Sequence, residues 1–240
     1  AQVLAVPDPS LAGRYYLFVP GAAETNYSTF GYWMIDTNGG VSVTGPTSLM
    51  GNLPAGGTVS EHVTAVPHCN GTDYWVISNS NGPHAGPTNF YVYRLSAAGI
   101  TNGDLSAINT PDLTPFAFAG SFGELVASPD GTRLALPANV NGSASGQGVG
   151  VFDFDNATGT VSNHQQFTHP GTGMYGTCFS PNSNLVYAGG QGGLYQIEIA
   201  SGNVTTVLGN WGPRALQLTP ESPRRILMSR YGSSQMESLD

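Results

Sequence analysis

The chain has 240 residues, of which 40% are hydrophobic and only 9% charged, with 33 Gly and 17 Pro. Seven cations, all Arg, against fifteen acidic residues give a net charge of −8, so the basic stripe that a nucleic-acid partner requires is missing. Apolar runs stop well short of the roughly 20 residues that a membrane-spanning helix needs, and abundant turn formers without long helical periodicity predict an all-β fold.

The predicted elements begin with a hairpin in "VLAVPDPSLAGRYYLFV" (3–19), followed by a third strand in "FGYWMIDTNG" (30–39). The same order returns as "VTAVPHCNGTDYWVIS" (63–78) with "NFYVYRLSAAGI" (89–100), and as "LVASPDGTRLAL" (125–136) with "GVGVFDFDNATGTV" (148–161). It returns again as "GTCFSPNSNLVYAGG" (176–190) with "GGLYQIEIASGNVTTV" (192–207), and last as "LQLTPESPRRILMS" (216–229), after which a third strand would only begin. Each copy carries a proline, at 7, 67, 129, 181 and 220, spaced by 60, 62, 52 and 39 residues. Proline presets the first corner of a turn and cannot donate to a central ladder, so it marks where one strand ends and the hairpin begins.

A repeat of four short strands at this spacing is the pattern of a β-propeller blade. A β-sandwich accounts for short strands but not for the shared turn phase. The expectation is a β-propeller of four-stranded antiparallel blades, about five in number and incomplete as a ring, over 1–58, 59–120, 121–172, 173–212 and a partial 213–240. The N-terminal "AQVLAVPDPS" lacks the charged start of a secretion signal, which reads as a leader already removed or as a start inside a longer protein.

The segment "HCNGTDYW", followed by "NFYVYRL" and the exit "GI", resembles an early blade of type IX-secreted, gliding-associated surface proteins of Bacteroidota. "SPDGTRLAL", "VFDFDNATGTVSN", "YGTCFSPNSNLVYAGG", "LYQIEIA" and "LQLTPE" resemble that family's successive blades in the same order. The resemblance implies an excerpt of a larger modular protein, extracellular or at the cell surface, with a protein or glycan partner or other parts of the same polypeptide packed against it. It implies a non-catalytic role in adhesion, binding or structure. "SPDG" hairpins also occur in WD40-like and lactonase-type propellers, so a lactonase-type hydrolase is the enzymatic alternative, and a subunit of an extracellular filament or sheath is a third.

The candidate residues follow from these readings. His68, Cys69, Asn70, Asp73 and Trp75 gather polar groups in one turn and are read as a structural motif that hydrogen-bonds backbone, with Trp75 packing between blades. Tyr27, Phe30 and Phe90 belong with Tyr32, Trp33, Tyr91, Tyr93 and Trp211 to a set larger than a core needs, and the latter five are the candidate binding aromatics. No catalytic residue, cofactor or metal ligand is assigned: His164 and His169 lack further ligands at zinc spacing, and "DFDNATG" lacks the Gly and Glu of a calcium loop. Cys69 and Cys178 form no CxxC pair; a disulfide between them is open, and two buried free thiols is the preferred reading. The sequons at Asn26, Asn70, Asn141, Asn156 and Asn203 mark surface loops. For the hydrolase alternative, Arg133, Arg214, Arg224 and Arg225 are the cations to recruit. A clustered Arg, His and carboxylate set at one mouth of the channel would favour it, and an apolar channel would favour the binding module.

Overall fold

The computed structural model describes residues 2–21, 29–53, 57–80, 89–100, 105–109, 123–138, 148–168, 172–209, 212–222, 224–230 and 236–239. Among the described residues nineteen strands fall into five antiparallel sheets in chain order. Sheet one holds β1 (Leu4–Pro7), β2 (Arg14–Pro20), β3 (Phe30–Asp36) and β4 (Ser42–Ser48), and sheet two holds β5 (Thr64–Pro67), β6 (Tyr74–Asn79), β7 (Phe90–Leu95) and β8 (Leu105–Asn109). Sheet three holds β9 (Val126–Ala127), β10 (Arg133–Ala138), β11 (Gly148–Asp155) and β12 (Thr160–Thr168), and sheet four holds β13 (Thr172–Phe179), β14 (Leu185–Gln191), β15 (Gly193–Glu198) and β16 (Val204–Gly209). The fifth is three-stranded: β17 (Pro213–Leu218), β18 (Ile226–Arg230) and β19 (Met236–Leu239). The chain is a five-bladed β-propeller. Among the described residues no helix is long and apolar enough to cross a membrane.

The turn prolines explain the shared phase. Pro7 and Pro67 end β1 and β5, whereas Pro129, Pro181 and Pro220 lie in the turns after β9, β13 and β17. Polar side chains then close the turns: Ser128 Oγ accepts from the amides of Thr132 and Arg133, Ser180 Oγ from that of Leu185, and Thr219 Oγ1 from that of Arg225. In the last copy the tight turn is followed by more strand than the sequence suggested. "SQMESLD" supplies β19, paired with β18 from Ile226↔Leu239 to Ser229↔Met236.

Blades pack face to face, and the period of two decides which neighbour each side chain meets. In β7, Phe90 and Val92 join Trp75, Leu134 and Phe152 in the core between sheets two and three. Tyr91 and Tyr93 point the opposite way and join Phe18, Phe30 and Val6 between sheets one and two. Two further clusters, around Val149, Val186 and Ile197 and around Leu194, Leu216 and Met228, bind sheets three to four and four to five. Both faces of an inner blade are therefore core, and Tyr91 and Tyr93 are 1% and 0% exposed. This corrects the expectation that they form a contact surface: alternation of large residues here means two buried faces, not one buried and one wet. Phe30 and Phe90 are buried for the same reason. Tyr32 and Trp33 stay half-buried on sheet one, while Tyr27 and Trp211 lie outside the described residues.

Candidate active site

The first strands β1, β5, β9, β13 and β17 are the innermost ones, successive neighbours around a channel. Gly176 shows how close they come: a Cβ there would stand 3.1 Å from both Arg214 O and Leu216 N, so a larger residue would push β17 off β13 by a few tenths of an ångström. A cavity of about 370 Å³ opens between these strands, lined by Gln2 and Leu4 of the first blade, Thr64 of the second, Glu124 of the third and Ala215 of the fifth. The Gln2 side chain ties three blades together at this point. Its Oε1 accepts from Val63 N (3.0 Å) and Leu125 N (3.1 Å), its Nε2 donates to Leu125 O (3.4 Å), and its own amide donates to Glu61 O (2.9 Å).

The acidic groups gather at the end where the innermost strands begin. Glu124 N donates to Tyr175 O (3.0 Å), its carboxylate Oε2 accepts from Leu216 N (3.3 Å), and its carbonyl accepts from Thr177 Oγ1 (2.5 Å). Burial pushes the Glu124 carboxyl up to about 7, against the smaller opposing effect of bonds from the Leu216 and Thr177 backbone. Tyr175 OH donates to Glu61 Oε2 (3.5 Å). The phenol is itself raised, first by burial and then by the negative charges of Glu61 and Glu124, with Arg214 opposing them. Two carboxyls, a phenol and a guanidinium from four different blades thus act on one another. Next to Glu61, His62 is fully buried, with Nδ1 2.9 Å from Asn79 Oδ1; Ser60 Oγ donates to that same oxygen (2.7 Å). Because Asn79 Nδ2 donates to Ser80 O, its oxygen is the atom turned to His62, so His62 Nδ1 carries the proton.

Of the four arginines the sequence offered, one reaches this cluster. Arg133 lies at the outer turn, donating to Ser183 O (3.2 Å) and facing Asp153 at 4.0 Å. Arg224 and Arg225 are exposed in the turn between β17 and β18. Sequence reasoning missed Glu61, Glu124 and Tyr175, although a signal exists. Glu61, Tyr175 and Arg214 each stand six residues before their turn proline and Glu124 five, so charged or polar groups recur where the innermost strands begin.

The turn cluster occupies a different place, at the far end of the hairpin. His68 Nδ1 accepts from Asn70 N (3.0 Å) and lies 3.6 Å from Cys69 Sγ, Asn70 Oδ1 accepts from the amides of Thr72 and Asp73, and the His68 ring leans on Trp75 at 5.0 Å between centroids. Trp75 Nε1 donates to Asn156 O (2.8 Å), reaching from the second blade to the third. Burial alone would raise the Asp73 carboxyl, but bonds from Arg94, Asn70 and Thr72 outweigh it and hold it below the usual carboxylate range. Arg94 grips one Asp73 oxygen through Nε (2.8 Å) and Nη2 (2.7 Å). Asp73→Ala removes the carboxylate that Arg94 and the Thr72 hydroxyl share, and we expect a loss of about 1–3 kcal/mol, read from the urea midpoint at unchanged slope. Asp73→Asn, which keeps an acceptor without the charge, should lose less, and equal losses would mean that the charge carries the whole contribution.

Cys69 is exposed rather than buried, because the turn carries it outward between two backbone-bonded neighbours; Cys178 is buried, and both are free. Burial pushes the Cys178 thiol up to about 12. In "DFDNATG" the Asp155 carboxylate is taken by turn donors, Ala157 N (2.9 Å) and Thr158 Oγ1 (2.8 Å). His164 stacks on Phe152 in the third blade, and His84 and His169 lie outside the described residues. Among the described residues no three His, Cys, Asp or Glu side chains gather as a metal site.

No protein-family model matches the chain, and no curated protein does. Solved structures do. The β-propeller domain of Cps50 (Swd1) from Myceliophteria thermophila matches with a TM-score of 0.60 at 11% identity, over 100% of this chain and 70% of that one. The periplasmic gluconolactonase PpgL of Pseudomonas aeruginosa matches with 0.59 at 17%, over 95% and 67%. A gluconolactonase of Xanthomonas campestris matches with 0.51 at 14%, over 90% and 65%. At these identities the likeness is one of fold, that of a WD40-like β-propeller.

Proposed function

We propose that this propeller is a hydrolase of the lactone-opening type, working at the end of the channel where Glu124 lies. The observation that carries the reading is a channel-lining carboxyl whose burial brings it to about 7, set beside a phenol and a second carboxyl contributed by other blades. A general base is most effective when its pKa lies near the working pH. The ionised Glu124 takes a proton from water as the water oxygen bonds to the lactone carbonyl carbon. When the ring C–O bond breaks, that proton passes from Glu124 to the departing ring oxygen, leaving the open hydroxy acid and an unchanged protein. The gluconolactonases among the structural neighbours make lactones the first substrates to try.

The test is acid release from glucono-1,5-lactone, followed by pH-stat above the spontaneous rate. We expect kcat/KM to rise with pH through about 7, and Glu124→Gln to lower kcat by about 10²-fold or more while the protein stays folded. A full rate in Glu124→Gln would overturn the assignment. The second reading, a non-catalytic module that binds protein or glycan at a cell surface, is supported by a hollow of about 410 Å³ on sheet one, where Trp33 faces Pro20, Pro46 and Met50. It gains if wild-type protein leaves every lactone at its spontaneous rate.

A further inference from the structure

We propose that Arg214 selects substrates that carry an oxyanion, a carboxylate or a phosphate, away from the bond that is cut; this rests on the lactone-opening reading of the channel site. The chain treats its arginines unequally. Arg14 is matched by Asp8 at 2.5 Å, Arg94 by Asp73 at 2.7 Å, and Arg133 faces Asp153 at 4.0 Å. Arg214 is half-buried, donates through Nη1 to Gly173 O at 3.3 Å, and forms no ion pair among the described residues.

Two carboxyls are near enough to influence the same phenol as Arg214 does, yet neither closes on the guanidinium. Glu61 receives the Tyr175 hydroxyl, and Glu124 receives Leu216 N. A guanidinium carries five N–H donors in a planar fork suited to two oxygens at once. Only one of its donors meets a protein acceptor among the described residues, so the fork is placed to receive an oxyanion from outside. Charge argues the same way. A protein of net charge −8 repels anions at long range, and an anionic substrate reaches a mouth that already holds Glu61 only where a cation offsets the repulsion. Arg214 is the cation at that place.

The experiment compares glucono-1,5-lactone, its 6-phosphate and glucaro-1,4-lactone, which are neutral, phosphorylated and carboxylated. Wild type is expected to prefer one or both anionic lactones, and Arg214→Gln to lower that preference by about 10- to 100-fold, mainly through KM, since a charge-assisted bidentate contact is worth about 1.5–3 kcal/mol. Arg214→Lys separates the sources: it keeps much of a phosphate preference and loses a carboxylate one, because Lys offers a point charge without the fork. If wild type shows no preference, or Arg214→Gln lowers all three substrates by the same factor, the proposal falls while the hydrolase reading stands.

A calorimetric titration with glucarate against glucitol covers the other case. Glucarate binding that Arg214→Gln abolishes, in a protein that opens no lactone, would support the anion site and remove the hydrolase. Equal affinity for glucarate and glucitol would remove the anion site.

Discussion

Glu124→Gln is expected to stabilise the folded protein at pH 8 while it removes turnover. The folded-state pKa of Glu124 lies at about 7, above its ordinary value of 4.5. The folded protein therefore binds this proton more tightly than the unfolded chain does. Its contribution is fully present below about pH 4.5, and it is lost as pH rises through about 7. The integrated loss is about 3 kcal/mol at pH 8. Glutamine keeps an acceptor for Leu216 N and has no charge to desolvate, so the variant should match wild type near pH 4.5 and exceed it at pH 8, by roughly 5 °C in melting temperature. Thermal scans of both proteins from pH 4.5 to 8.5 decide it. Parallel curves would mean that the carboxyl is solvated and that the channel end is not a poised base. A stability gain joined to loss of activity is what a strained functional group produces, since the protein keeps a destabilising charge only where it is used.

This residue also shows what the sequence could and could not convey. The blades were legible because their signal is local: a proline at a strand end, a polar side chain closing the turn, and a strand on either side all fall within about fifteen residues. The fold class follows from repeating that signal five times. The channel site has no local signal, since Glu61, Glu124, Tyr175 and Arg214 come from four blades and meet only after the innermost strands converge. A weak trace was present in the phase ahead of each turn proline, where a buried strand should have begun apolar.

Direction was the other thing that local pattern left open. β7 has a core cluster on each face, whereas β3 packs Tyr32 and Met34 into the cluster shared with sheet two and turns Trp33 to the other face, so similar alternation buries Tyr91 and Tyr93 and leaves Trp33 half-exposed. The burial of Cys69 failed for a related reason. Cysteine is usually buried, but here it occupies a turn whose geometry is set by His68 and Asn70.

The largest effect on folding should come from Phe152. This side chain is 0% exposed, meets Phe90 of the second blade edge-on at 4.8 Å between centroids, and is covered on its own blade by the His164 ring at 4.9 Å. It is thus a central contact of the core through which sheets two and three hold each other. Phe152→Ala removes the ring from a core that the β-ladders of both sheets keep from collapsing, and we expect a loss of about 3–5 kcal/mol. For a chain of this length that amounts to roughly 10 °C or more in melting temperature. Phe152→Leu, which fills most of the space, should lose less than half as much. The double variant with Phe90→Ala should lose about 0.5–1.5 kcal/mol less than the sum of the single ones, the part that belongs to the aromatic pair itself. Urea unfolding at constant slope measures all four proteins. Strict additivity would show that the two rings stabilise their blades independently. In that case the rest of the shared core and the polar bridges at the turns, Trp75 Nε1 to Asn156 O and Cys69 N to Asn156 O, hold the second blade against the third.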